Sequence, residues 1–408
     1  MRAHLAVLMA FASSLGAQQI DVSPSGPVRT ITAAVAAATP GTRIVVHSGV
    51  YAESTVVIDK RVALVGDGAP VLDGRGTHAL ILVKADDVTI RGLVLRNVGT
   101  SFVEDRAALK VSDAHGCVIQ DNRVENGFFA IYLANTTDCR IEHNVIVGRA
   151  KSEATAGNGI HLWSSRRITI ADNRISGQRD GIYFEFVHDS KIRNNVSEEN
   201  LRYGMHFMYS DDCEYVGNEF RHNGSGVAVM YTKRVTMIGN RFEDNWGAAS
   251  YGLLFKEISD SRLVNNVIRR NTTGLLADGA NRIVAEHNDF IDNGWALRLD
   301  ASTLDGRFTR NNFAGNTFDV ATNSHGQTTT FEHNYWQAYR GYDLNHDGIG
   351  DVPFRPVRLF SVLVEHNQPA LLMLRSAFVD LLDAAERVLP ALTPESVVDT
   401  RPAMRRVQ

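Results

Sequence analysis

The sequence predicts an all-β chain wound as a right-handed three-sided parallel β-helix, with a helical cap at its start and an amphipathic helix near its end. Three observations lead there. First, lines of sequence repeat glycine over glycine: Gly204-Met205-His206-Phe207-Met208-Tyr209-Ser210 lies over Gly226-Val227-Ala228-Val229-Met230-Tyr231-Thr232, offset by 22 residues. Second, an asparagine column runs Asn122, Asn144, Asn173, Asn195, Asn218, Asn240, Asn266, Asn288, Asn311, Asn334, at spacings of 22, 29, 22, 23, 22, 26, 22, 23 and 23. Third, the apolar alternations inside each line are too short for a helical repeat and suit three short strands per coil.

A second column, five residues on, holds Asn200, Asn223, Asn245, Asn271, Asn293 and Asn316. Asparagine tolerates left-handed turns and pairs its amide with the asparagine above and below, so both columns read as structural. Together they imply about ten to twelve coils. Two lines are longer, by seven residues within 148–159 and four within 245–252, both just before the glycine that opens a coil. Loops on one edge of a solenoid shape its binding face.

In chain order, Met1-Arg2-Ala3-His4, an apolar run from Leu5 to Leu15 and Gly16-Ala17 read as a secretory signal peptide cleaved after Ala17. Val28 to Ala38 reads as a short amphipathic helix, ended by Pro40-Gly41; β-like segments and Gly-rich turns follow. Pro369 to Leu389 reads as one helix with an apolar stripe through Leu371, Leu374, Phe378, Leu381 and Leu382, widened by Val379; Pro390 ends it, and an extended tail follows from Thr393. The expected divisions are 1–17 signal peptide, 18–77 cap and first coils, 78–338 β-helix, 339–354 aspartate-rich loop, and 355–408 helix and tail.

A net charge of −4 gives no basic excess for nucleic acid, and no later apolar run reaches the roughly 20 residues that span a bilayer. Three cysteines are too few for a disulfide scaffold. Cys117, Cys139 and Cys213 share an inward-facing column, which leaves core thiols or a Cys117–Cys139 bridge across adjacent coils.

Strand alternation sorts the side chains after each glycine. Positions one and three, among them Met205 and Phe207, face the core. Positions two and four face out: His161/Trp163, Tyr183/Glu185, His206/Met208, Ala228/Met230 and Leu254/Lys256. Stacked coils are about 4.8 Å apart, so Met208 and Met230 lie where one soft ion can bridge them. Thioether and imidazole select Cu(I) over hard cations, and methionine also favours bare protein interfaces; both readings stand. His206, Met208 and Met230 are thus candidate copper ligands, open to solvent, with His161 two coils away and Glu185 between as secondary contacts.

Asp343-x-Asn345-x-Asp347-Gly348-x-Gly350-Asp351 has the oxygen spacing of a calcium loop, although Phe354 stands where its bidentate glutamate belongs. The best carboxylate pair for sugar chemistry is Asp189 and Asp212, flanked by Arg167 and Arg234; Trp163 and Tyr183 offer stacking rings. Charge compensation at a turn explains that ladder equally well, so no catalytic residue is assigned.

The chain resembles the NosD family, periplasmic maturation factors of nitrous oxide reductase. The resemblance rests on Ile31 to Val35 with Pro40-Gly41-Thr42 and Gly49-Val50-Tyr51, and on the Met205-His206-Phe207-Met208-Tyr209 and Val229-Met230-Tyr231 lines. It continues through Asn334-Tyr335-Trp336, Tyr339 to Asp343, Asp347 to Asp351 and Pro356 to Ser361. It implies a pectate-lyase-like solenoid that is not an enzyme, seated in the periplasm on an ABC transporter permease. Such proteins take copper from a lipoprotein chaperone and hand it to the copper–sulfide site of apo-nitrous oxide reductase. The resemblance raises the copper reading of Met208 and Met230 and points the C-terminal stripe at the transporter; calcium stays an inference from the loop. The alternative class is a carbohydrate-active β-helix enzyme, a polysaccharide lyase or epimerase.

Overall fold

The computed structural model describes residues 18–101, 103–324, 328–389 and 396–408; the expected signal segment 1–17 lies outside them. Three parallel sheets form the faces of a β-helix, with fourteen, thirteen and twelve strands. Each coil contributes one strand to the first face, one to the second and one to the third. One coil, for example, supplies Lys191–Arg193, Val196–Glu198 and Tyr203–Met208. The solenoid is longer than the asparagine columns suggest. Its extra coils lie before Asn122, where Leu93 holds the column's place and its backbone N–H donates to Asn122 Oδ1 (3.1 Å).

Both asparagine columns are continuous ladders of buried amides. Asn195 donates from its backbone N–H and from Nδ2 to Asn218 Oδ1, both at 3.0 Å, and Asn218 does the same to Asn240 at 2.9 and 3.0 Å. Nδ2 also donates to a main-chain carbonyl, as Asn218 does to Ile192 (2.8 Å), except at Asn200, where the acceptor is Ser197 Oγ (3.0 Å). The amides thereby satisfy polar groups that a sharp turn would leave buried and unpaired. Inside, apolar side chains stack coil on coil: Phe290 on Phe313 at 5.0 Å, and Phe313 on Trp336 at 4.1 Å.

The expected N-terminal helix is α1, Ile31–Ala37. Thr30 caps it through Ala33 N–H, and Glu53 takes Ile31 N–H at 2.6 Å and Thr32 N–H at 2.9 Å. Its buried face, Ile31, Ala34 and Val35, joins the first coils of the core. Cys117 and Cys139 form a disulfide across adjacent coils, and only Cys213 is a buried thiol.

The C-terminal region departs from expectation twice. The single helix from Pro369 to Leu389 is broken into a 3-10 segment, Gln368–Met373, and a helix, Ala377–Val388. A further helix, α2 (Leu359–His366), precedes them, so the Ala377–Val388 helix is α3. A straight helix of that length would run about 30 Å. Ser376, extended at φ −95° and ψ 156°, instead folds the segment back over Phe318, Phe360 and Val364 at the end of the third face.

The tail is also no loose extension. Asp399 is fully buried and pairs with Phe331 and Phe354, and Ala403 pairs with Tyr335 and Ile349. The Asp399 Oδ2 accepts from Asn334 N–H (3.1 Å), Asn334 Nδ2 (3.0 Å) and Trp336 Nε1 (2.9 Å). The last rung of the ladder is therefore an aspartate 65 residues away in sequence. We expect Asp399→Ala, which strands three buried donors, to cost about 3 kcal/mol or more in urea unfolding, while Thr400→Ala on the exposed side leaves stability unchanged.

Candidate metal centre

The candidate residues sit on the outer side of the third face, between the two insertions. Strand pairing puts Tyr132, His161, Tyr183, His206, Ala228 and Leu254 in one row, and Trp163, Glu185, Met208, Met230 and Lys256 in the next. Met208 and Met230 are direct neighbours across two strands, both half-buried. Met205, on the same strand as Met208, points inward and is fully buried.

His206 is placed differently from the sequence expectation. It faces outward by alternation, yet only 7% of it reaches solvent. Tyr183 packs edge-on against its ring at 5.2 Å and Tyr203 lies at 4.9 Å. Its Nδ1 is 3.9 Å from Asp180 and 3.5 Å from Arg202 Nη2. A guanidinium only donates, so Nδ1 is the acceptor and Nε2 carries the proton. That Nε2 is buried without a partner. Burial pushes the His206 pKa down to about 4, with Asp180 opposing and Arg202 and Arg179 assisting. The open three-ligand site thus reduces, at the surface, to the two thioethers.

Asp180 holds this arrangement. It is fully buried and grips Arg202 with both carboxylate oxygens, Nε to Oδ1 at 2.9 Å, while Arg179 stands at 3.8 Å. His161 is also withdrawn: Asn158, from the first insertion, donates to its Nδ1 at 2.9 Å, and Tyr183 stacks on it at 4.7 Å. Burial, then Arg179 and Lys110, lower its pKa to about 3. Glu185 accepts from the Tyr183 hydroxyl at 3.2 Å. At the other end Tyr251, which closes the second insertion, meets the Tyr203 hydroxyl at 3.2 Å. Sequence reading missed Asp180, Arg202, Tyr203 and Tyr251, because their partners lie a coil or more away.

The other candidates form no centre of this kind. In the aspartate-rich loop, Asp343 accepts from Asp347 N–H and Gly348 N–H (3.2 and 2.9 Å), Asp347 from Ile349 N–H (2.8 Å), and Asp351 from Leu344 N–H (2.7 Å). Asn345 donates to Asp347 at 3.2 Å. These oxygens serve the loop itself, and among the described residues no group of three or more His, Cys, Asp or Glu is set to hold a metal. Asp189 pairs with Arg166 (3.2 Å), Asp212 with Arg234 (2.6 Å), and Arg167 with Asp138 (2.7 Å). Both carboxylates are thus spoken for, and Tyr183 has His161 stacked on one face and the His206 ring set nearly perpendicular to it.

Fold and site together define a parallel β-helix that presents soft sulfur donors on one face. Residues 148–345 match the family described as periplasmic copper-binding protein (NosD). A probable ABC transporter binding protein NosD of Pseudomonas aeruginosa is 32% identical over 377 residues, spanning 88% of this chain and 87% of that one. Its counterpart in Stutzerimonas stutzeri is 27% identical over 352 residues, spanning 82% and 80%. This chain belongs to the NosD family. Among solved structures, a family 28 exopolygalacturonase of Yersinia enterocolitica superposes with a TM-score of 0.60 at 10% identity, covering 77% of this chain and 78% of its own. The catalytic unit of a GH87 α-1,3-glucanase of Streptomyces thermodiastaticus gives 0.53 at 14%, covering 73% and 63%. These two enzymes share the fold; the two relatives are named as transporter-binding proteins.

The buried histidines set a pH dependence. Each titrates near 6.5 when unfolded and near 3 to 4 when folded. Below pH 6.5 the unfolded chain gains protons that the native state excludes, so stability falls as pH drops toward 4. We expect unfolding in that window to take up about two protons more in the parent than in His161→Gln/His206→Gln, read from urea midpoints between pH 7.5 and 4.5.

Proposed function

We propose that this protein works in the periplasm as a copper carrier. It docks on an ABC transporter permease, receives Cu(I) from a chaperone lipoprotein and passes it to the copper–sulfide site of apo-nitrous oxide reductase. The observation that carries this reading is the pairing of Met208 with Met230 on adjoining strands, half-exposed, within the stretch that matches the copper-binding family. Two thioethers about 4.8 Å apart along a sheet suit a soft monovalent ion and are poor ligands for hard cations. His206 stands behind them and joins only if Tyr203 and Arg202 give way. The Cys117–Cys139 disulfide suits an oxidising compartment.

The docking surface is proposed on the C-terminal helices. Leu371, Leu374 and Leu382 of the expected stripe turn inward onto Phe318 and Phe360. Phe378 and Leu381 stay exposed and are joined by Leu372, Val388 and Leu389; Leu372 is 92% and Leu381 68% accessible. No helix among the described residues is long and apolar enough to cross a membrane, so this face supports attachment to a permease rather than insertion.

Met208→Leu with Met230→Leu is expected to lower Cu(I) affinity at least tenfold in competition with a chromophoric chelator, with stability within about 0.5 kcal/mol of the parent. Met205→Ala is expected to do the reverse, costing about 2–5 kcal/mol and sparing copper. Unchanged Cu(I) affinity in the double variant sinks the copper assignment. For docking, Leu372→Ser with Leu381→Ser leaves the fold intact and abolishes co-purification with the permease. Removing residues 369–408 is not a clean test, because it also removes Asp399 from the ladder.

A further inference from the structure

The corner that follows the third face carries an unusual column. In eight successive coils the residue there adopts a left-handed backbone, and five of them fill it with a small, polar or charged residue: Asp113, Asn135, Ser164, Glu257 and Gly279. Three consecutive coils instead place Phe186, Tyr209 and Tyr231 there, at φ 55°, 50° and 53°. An aromatic side chain at positive φ is strained, and strain of this kind collects at functional sites. These side chains gain no burial in return, being 44%, 43% and 41% exposed. The strained coils flank the methionine pair: Phe186 N–H donates to the Met208 carbonyl and Tyr209 N–H to the Met230 carbonyl, at 3.3 and 3.2 Å.

The rings stack on one another, Phe186 on Tyr209 and Tyr209 on Tyr231, each at 5.2 Å and within 14° of parallel. Their faces are therefore turned toward each other and their edges face solvent. The inner faces of the column are thus taken up by its own rings. Aromatic edges carry the positive rim of the quadrupole and favour the sulfur of methionine. Beside them, Met208 and Met230 leave a bound Cu(I) short of donors, since His206 is closed off.

We propose that Phe186, Tyr209 and Tyr231 form a docking rib for a polypeptide that presents methionine thioethers, which complete the coordination of copper at Met208 and Met230 during transfer. The proposal rests on the copper reading above for the metal, and on the rib alone for the docking. The rib engages the partner's thioethers in the absence of metal, and copper then moves between sulfurs held within reach of each other.

The test uses the full chain labelled with methyl-13C methionine and a synthetic Met-Gly-Met-Gly-Met peptide, without metal. Peptide is expected to shift the Met208 and Met230 signals and not that of Met205. Asparagine accepts the left-handed backbone, so Tyr209→Asn with Tyr231→Asn should raise the melting temperature and leave direct Cu(I) affinity unchanged. The same variant should weaken peptide binding about tenfold, the combined worth of two sulfur–ring contacts. Equal peptide affinity in parent and variant overturns the rib, as does a flat titration with the parent. A norleucine peptide that binds as tightly overturns the thioether partner. Failure of the copper reading shows elsewhere, as a Cu(I) titration indifferent to Met208 and Met230.

Discussion

Every coil turns three corners, and each corner threatens to bury unpaired backbone amides. The ladder of asparagine side chains resolves that at two of the three corners, each Oδ1 taking two donors from the coil before. Because each amide must meet its neighbours above and below, coils cannot slip by a residue relative to one another. The lateral order of the third face follows from that constraint. Met208 sits beside Met230, and Tyr209 beside Tyr231, because the ladder fixes the register of the coils that carry them. Both insertions lie at the corner between the second and third faces, where added length leaves the strand pairing of the faces intact.

How much of this is legible in the chain depends on the range of the interaction. The ladder is a repeat, so its columns are visible wherever asparagine is used; they vanish before Asn122, where Leu93 occupies the same place and the coils continue unseen. Alternation correctly assigns His206 and Met205 to opposite faces of one strand. It carries no information on cover, and the cover over His206 comes from the grip of Asp180 on Arg202, a contact between coils. Apolar periodicity likewise runs unbroken through Leu371 to Leu389, whereas the extended backbone at Ser376 answers to the shape of the solenoid's end. Asp399, within a tail of low pattern, has no local signal at all.

The third face thereby combines a stiff frame with soft contents. Its strands are anchored by the asparagine ladder at the corner that leads into them, while the thioethers of Met208 and Met230 are among the most adaptable groups in proteins. A neutral imidazole behind them, kept from protonation by burial and by two guanidiniums, adds no charge that would repel a cation. A carrier benefits from that combination: donors whose spacing is set by the fold, with no closed cage to be opened before the ion can leave.

Asp399 also decides how the molecule behaves toward copies of itself. An open solenoid end exposes a full turn of unpaired strand edge, a template onto which another chain can add. Had the terminal rung been asparagine, its side chain would offer donors as well as acceptors, and a second molecule could continue the stack indefinitely. A carboxylate only accepts, and here its acceptors are taken by Asn334, Trp336 and Arg401. The series closes on a residue with no proton to pass on, which makes this end a barrier to fibre growth in a protein built from the same stacking that fibres use.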